Sequence, residues 1–129
     1  MNLLLDTHLL IWAASSPRKL SRSARQMIAD DRNLLHFSVA SLWEIVIKST
    51  LQRPDFSVEA GLLRRGLLDN GYVECEIEGP HALAVASLPP IHRDPFDRLL
   101  VAQAMVNGWV LLTADLTVAD YGSPVRLVD

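Results

Sequence analysis

A single cysteine, Cys75, stands among the 129 residues. It excludes an internal disulfide and a cysteine-built zinc cage, and a lone thiol fits a reducing compartment, so the expected location is the cytosol. Aromatic residues make up only 6% of the chain, which leaves the core to Leu, Val, Ile and Ala. No apolar run approaches the ~20 residues of a membrane-spanning helix. The opening MNLLLD lacks a basic flank and its apolar run stops at Asp6, so neither a secretory signal nor a membrane association is expected. Positive charge is scarce too: 12 Lys and Arg face 15 Asp and Glu, the formal net charge is −3, and Lys19 and Lys48 are the only lysines. That balance excludes attraction to nucleic acid through bulk charge. It does not exclude a nuclease whose positive charge comes from a bound cation. GxxxxGK, GxGxxG and GxSxG are all missing. His8, His36, His81 and His92 form no metal-ligand spacing such as HxxxH; of these, His92 alone attracts notice, because it precedes the turn holding Asp94 and Asp97.

What is present is a globular balance, 50% hydrophobic and 21% charged, with a length that fits one domain over residues 1–129. Leu3–Leu5, Leu34–Phe37, Tyr72–Ile77, Trp109–Thr113 and Val125–Val128 read as strands. Helices fall between them. Thr7–Ala14 follows Asp6 as N-cap, a second helix follows Ser21, and Ser38–Thr50 turns Leu42, Ile45 and Val46 inward. Ser57 caps another that stops at Asn70-Gly71, Pro80–Leu88 forms a short one, and Asp94-Pro95 opens a strong one ending at Asn107-Gly108. Strands that are apolar throughout belong in a sheet covered on both faces. The alternation predicts a three-layer α/β/α domain around a parallel five-stranded sheet, with ligands beyond the carboxyl ends of the strands.

Four acids stand where that cleft would open: Asp6, Glu44, Asp97 and Asp115. Each also has an ordinary structural reading. Asp6 and Asp94 can cap helices, Ser41-x-x-Glu44 fits a capping box, Asp97 falls in an acid-favouring first turn, and Asp115 can start a turn. Topology shifts the balance. If the first and fourth strands are neighbours, all four carboxylates face one cleft, and their repulsion raises their pKa values. A divalent cation relieves it, and all-oxygen ligands suit Mg²⁺ or Mn²⁺ rather than zinc. Thr7 and Thr113 could orient carboxylates or water, or could simply cap and pack. Arg93 and Arg98 flank Asp97 and could touch phosphate, pair with the acids or remain solvated. Trp12 and Trp43 lie on apolar helix faces, as core or as interface.

LLLDTHLLIW, SVASLWEIVIK, HRDPFDRLLVAQA and LLTAD, in this order and at these spacings, closely resemble PIN-domain ribonucleases, and most closely the VapC-type toxins of bacterial VapBC toxin–antitoxin modules. The resemblance runs from Asn2 to about Val128. It implies a five-stranded parallel sheet flanked by helices and Mg²⁺- or Mn²⁺-dependent cleavage of RNA, often structured RNA such as tRNA. It also implies a homodimer, and inhibition by a cognate antitoxin whose C-terminal tail occupies the cleft. Carried across by position, it makes Asp6, Glu44, Asp97 and Asp115 the acid set, Thr113 the hydroxyl partnered with the last acid, and Asp94 a member of the DPFDR block. The chain departs from the pattern at Leu51–Phe56, where LQRPDF replaces a Gly-Lys turn, and at Val118, where an aromatic is frequent.

The charges suggest a reaction. An anionic phosphodiester enters an acidic cleft only once a cation neutralises it, and that cation also makes water a better nucleophile. Asp6, Asp97 and Asp115 are the first-choice ligands; Glu44 ligates or orients the water. One rival is a phospho-acceptor receiver domain, but it resembles a fold with paired acids near the first strand and a lysine after the last, which this chain lacks. A catalytically silent PIN-like binding module is the other, and it sits poorly with retention of all four acids.

Overall fold

The computed structural model describes residues 1–129. Its strands are β1 (Asn2–Leu5), β2 (Leu34–Ser38), β3 (Val73–Cys75), β4 (Val110–Thr113) and β5 (Val125–Leu127). Between them lie α1 (Thr7–Ser15), α2 (Arg22–Ala29), α3 (Val39–Thr50), α4 (Ala60–Asp69), α5 (Gly79–Ala84), α6 (Pro95–Asn107) and α7 (Leu116–Ala119). All strand pairs are parallel, in the order β3-β2-β1-β4-β5. This is the α/β architecture that the alternating pattern predicts.

Successive side chains of a strand point to opposite faces, and the sheet uses both. Leu3 and Leu5, with Phe37 and Leu112, join a core completed by Leu9 and Leu10 of α1 and Leu63 and Leu67 of α4. Leu4 and Leu111 join a second core with Leu100, Val101 and Ala104 of α6. Each fully buried Leu contributes on the order of 2 kcal/mol of hydrophobic stabilisation. Aliphatic side chains dominate both cores, with Phe37, Phe56 and Tyr72 as aromatic members of the first.

Several boundaries follow the local chemistry read from the sequence. Asp6 caps α1, Ser21 caps α2, and Asp94 caps α6 ahead of Pro95. Gly108 ends α6 at φ 70°, a left-handed conformation that a Cβ resists. Others differ. Glu59, not Ser57, caps α4, because its carboxylate takes the N–H groups of both Gly61 and Leu62 while the Ser57 hydroxyl donates to Pro54. The helix expected over Pro80–Leu88 gives way after Ala84 to a 3₁₀ turn, Val85–Ser87. β3 is shorter than Tyr72–Ile77, since it lies at the sheet edge and pairs only with β2. On α3, Ile45 is buried but Val46 is 52% exposed, so the inward face is narrower than expected.

The order places β1 between β2 and β4, so the crossovers leave it in opposite directions. A crevice opens at such a reversal, beyond the carboxyl ends of β1 and β4. The segments that follow these two strands carry acids, Asp6 directly after β1 and Asp115 one residue beyond β4.

Candidate active site

Asp6 is the first residue past β1, and its backbone N–H donates to Leu112 O on β4 at 3.1 Å. Asp115 is the second residue past β4. One hydroxyl joins them: Thr113 Oγ1 donates to Asp6 Oδ2 at 2.6 Å and accepts the Asp115 N–H at 3.0 Å. Both acids serve as caps and cleft walls at once. Asp6 Oδ1 accepts the Leu9 N–H of α1, and Asp115 Oδ1 accepts the Thr117 N–H of α7. The structural and functional readings of these acids are therefore compatible. Asp6 is buried, which pushes its pKa up against the opposing bonds from Thr113 and Leu9. The short helix α7 stands where the sequence suggested a turn, with Val118 buried in the core, so a small aliphatic fills the position where an aromatic is frequent.

Asp97 lies in the first turn of α6 and faces the other acids. Burial, then the charges of Asp94, Glu44, Asp6 and Asp115, push its carboxyl up to about 8. Its side-chain partner is His92, with Nε2 at 3.2 Å from Asp97 Oδ2. Atoms of His92, Asp97 and Asp115 lie within 4.8 Å of one another.

Glu44 departs from its local expectation. It sits in the second turn of α3, not the first, and forms no capping box with Ser41; Ser38 caps that helix instead. The Glu44 side chain reaches across to α1. Its Oε1 accepts from the Thr7 hydroxyl, which also contacts Ser41 Oγ at 2.9 Å, and its Oε2 pairs with Lys48. Lys48 also meets Asp94 Oδ2 at 3.2 Å, and its ammonium stands 4.9 Å from the centre of the Phe56 ring. Burial works against this ammonium, but the bonds and charges of Glu44 and Asp94 outweigh it and raise its pKa. Asp94 shows the converse. Burial opposes its ionisation, and the N–H groups of α6 together with Lys48 overcome it and hold its pKa low. With Oδ1 on the Phe96 and Asp97 N–H groups and Oδ2 on Lys48, Asp94 is a structural anchor beside the cleft.

Arg98 does not touch the acids. It donates to Pro89 O, Val85 O and Tyr121 Oη, strapping the segment ahead of α6. Arg93 is exposed. Trp12 is half-buried, whereas Trp43 is 57% exposed and packs edge-on against Phe96.

A hollow of about 240 Å³, lined by Asp6, His8, Trp12, Ala114 and Asp115, opens beside the acids. Larger hollows lie elsewhere, between α1 and α4 and beside Trp109 and Pro124, away from these acids. Charge separates the acids into two sets. Glu44 and Asp94 share Lys48, while Asp6, Asp97 and Asp115 have no Lys or Arg partner. An uncompensated trio of oxygen donors at a strand-end crevice fits a small divalent cation.

Residues 3–123 match the family described as PIN domain. The chain belongs to the PIN-domain family. Over 121 residues this PIN domain is 27% identical to Ribonuclease VapC22 of Mycobacterium tuberculosis, a match covering 94% of this chain and 92% of the relative. Its fold is similar to that of VapBC2 from Rickettsia felis, solved bound to a DNA fragment from its promoter, with TM-score 0.71, 13% identity and full coverage of both chains. It is also similar to VapBC-1 from nontypeable Haemophilus influenzae, with TM-score 0.67, 16% identity and coverage of 100% and 98%.

Lys48 is the site residue that the motifs did not single out, although a signal existed: Glu44 and Lys48 are spaced i, i+4 on one helix face. The departure LQRPDF bears on it directly, because that segment brings the buried Phe56 ring against Lys48. Replacing Lys48 with Met is expected to leave Glu44 buried without a counter-charge and to lower stability by roughly 3 kcal/mol. Urea unfolding of the cation-free protein checks this; an unchanged midpoint would contradict the neutralising role.

Proposed function

We propose that this PIN domain, acting as one unit over residues 1–129, is an endoribonuclease toxin of the VapC type that requires Mg²⁺ or Mn²⁺. The observation that carries this reading is the gathering of Asp6, Asp97 and Asp115 from three separate chain segments with no Lys or Arg partner, Asp97 and Asp115 lying within 4.8 Å and Asp6 tied to the Asp115 segment through Thr113. Such a centre repels an RNA phosphodiester as it stands. A divalent ion, when bound, supplies positive charge for the phosphate and acidifies water for attack. Asp6, Asp97 and Asp115 would hold it. Thr113 fixes the orientation of Asp6, and the backbone N–H it accepts fixes the start of the Asp115 segment. Glu44, buried and held by Thr7 and Lys48, faces the same centre as a second-line carboxylate that orients water.

The same charge supports an antitoxin partner. An arginine from such a protein can pair bidentately with the cleft carboxylates while its methylenes lie along Trp12 in the hollow beside Asp6 and Asp115. Exposed Trp43 and Val46 on α3 supply apolar surface for a homodimer. A lone Cys75 with no disulfide partner supports a cytosolic site of action.

One experiment tests the reading. The purified chain is incubated with RNA, with and without Mn²⁺, and with and without the product of the adjacent reading frame. Cleavage that needs Mn²⁺, collapses in Asp6→Asn and is suppressed by the neighbouring protein is the expected result. Wild-type cleavage by folded Asp6→Asn would remove Asp6 from the site. A neighbour that neither binds nor inhibits would remove the toxin–antitoxin assignment and leave the nuclease.

A further inference from the structure

The hollow beside the acids pairs an acidic side, Asp6 and Asp115, with an aromatic side, His8 and Trp12. The aromatic side is built on α1. His8 and Trp12 stand four residues apart on that helix, so they share a face, and their ring centres lie 5.9 Å apart with planes tilted by 47°. Both rings are held. Trp12 packs against the first core. The His8 ring packs on Phe56 with 5.0 Å between centres, and its Nε2 donates to Asp55 Oδ2 at 3.0 Å. Asp55 and the buried Phe56 belong to LQRPDF, the segment that departs from the family pattern. The hollow is thus a slot with its aromatic side already in place.

The two sides select among the parts of an RNA strand. Asp6 and Asp115 have no Lys or Arg partner, so a phosphate inside the hollow itself is repelled. A nucleobase is uncharged and flat, and every base has a face that stacks on an aromatic side chain. The hollow's volume of about 240 Å³ falls short of the roughly 300–1,000 Å³ of sites that enclose a whole small molecule, and suits a single ring system. Asp6 and Asp115 also belong to the acid centre, so a base in the hollow is a neighbour of a phosphate at that centre.

We propose that the hollow is a subsite for one nucleobase of the RNA strand, held by stacking on Trp12 and bounded by His8. The subsite rests on the ribonuclease reading: the base belongs to a nucleotide next to the phosphate that the acid centre takes. It gives LQRPDF a task, since Asp55 and Phe56 fix His8. Base–aromatic stacking is worth about 10-fold in affinity per base and tolerates every base, so the hollow supplies grip rather than sequence choice.

A comparison of two strands isolates the base. A labelled uridine decamer, and its counterpart with an abasic spacer at every position, are titrated by fluorescence anisotropy into wild type, Trp12→Phe, Trp12→Leu and Asp55→Ala. Ca²⁺ replaces Mn²⁺ so that cutting does not deplete the RNA, and the melting temperature of each protein is recorded. The readout is the ratio of the two affinities, because a change in charge or a general loss of fold alters both strands alike. The expected result is a wild-type preference for uridine that falls about 10-fold in Trp12→Leu and stays within about 3-fold in Trp12→Phe. Asp55→Ala, which frees the His8 ring without entering the core, should lower the ratio less than Trp12→Leu does. A wild type that cuts RNA with Mn²⁺ yet binds the two decamers alike, or whose preference persists in Trp12→Leu, overturns the subsite alone. So does an unchanged ratio with loss of the neighbouring gene product's binding in Trp12→Leu, which makes the hollow a protein-docking slot. A wild type that neither binds nor cuts RNA overturns the ribonuclease reading and the subsite with it.

Discussion

Asp97→Asn is expected to make the cation-free protein more stable while slowing RNA cleavage by roughly 1,000-fold or more. The two effects share one cause. Asp97 carries a pKa raised from 3.8 to about 8 by burial and four neighbouring acids. Below about pH 4 the carboxyl is protonated in folded and unfolded chains alike and costs nothing. Between about pH 4 and about 8 the unfolded chain releases the proton and the folded chain keeps it, so stability falls as pH rises. Above about pH 8 the penalty is complete. At neutral pH this loss is on the order of 2–4 kcal/mol, and asparagine, which has no charge to desolvate, removes it. Urea midpoints of wild type and variant at pH 5, 7 and 9 should diverge as pH rises; parallel curves would refute the buried-charge account. For cleavage, the proposed function has the same charge hold the cation, and each 1.36 kcal/mol of lost transition-state stabilisation is about tenfold.

Millimolar Mn²⁺ is expected to raise the melting temperature by roughly 10 °C at neutral pH. A ligand at about 100 times its Kd stabilises the folded state by about 2.7 kcal/mol, and a chain of this length melts about 3–5 °C higher per kcal/mol. The shift should shrink sharply in Asp97→Asn, which has lost both the repulsion and a proposed ligand. A wild-type melting temperature indifferent to Mn²⁺ and Mg²⁺ would count against a shared cation centre.

The sheet and the placement of most candidate site residues were legible along the chain for local reasons. Leu3–Leu5 is apolar because both faces of β1 are covered, and a strand buried in this way must read as one unbroken run. Asp94-Pro95 and Gly108 mark α6 because capping and left-handed φ are properties of single residues. Asp6, Asp97 and Asp115 were placed correctly relative to strand ends and helix starts, since parallel topology gathers those termini at one edge. Boundaries set by competition were not legible. Ser57 and Glu59 both qualify as caps for α4, and only the folded backbone decides which carbonyl and N–H groups each side chain meets.

The sequence by itself determined the element order, the two-sided sheet and the family, and it marked the candidate acids, because hydrophobic period, capping chemistry and motif spacing are written in consecutive residues. Only the tertiary structure decided how the charge is divided among those acids. Glu44 could be read from the sequence as a ligand or as a water-orienting group until α3 packed beside α1 and α6 and brought Thr7, Lys48 and Asp94 around it. Arg98 looked available to phosphate until the fold turned it onto the carbonyls of Val85 and Pro89 and the hydroxyl of Tyr121. His92 stood out only for preceding the turn that holds Asp94 and Asp97, until the fold set its Nδ1 on the Asp94 N–H and its Nε2 3.2 Å from Asp97 Oδ2. Pairing energies depend on distances between segments far apart in the chain, and those distances exist only after the sheet has closed around β1.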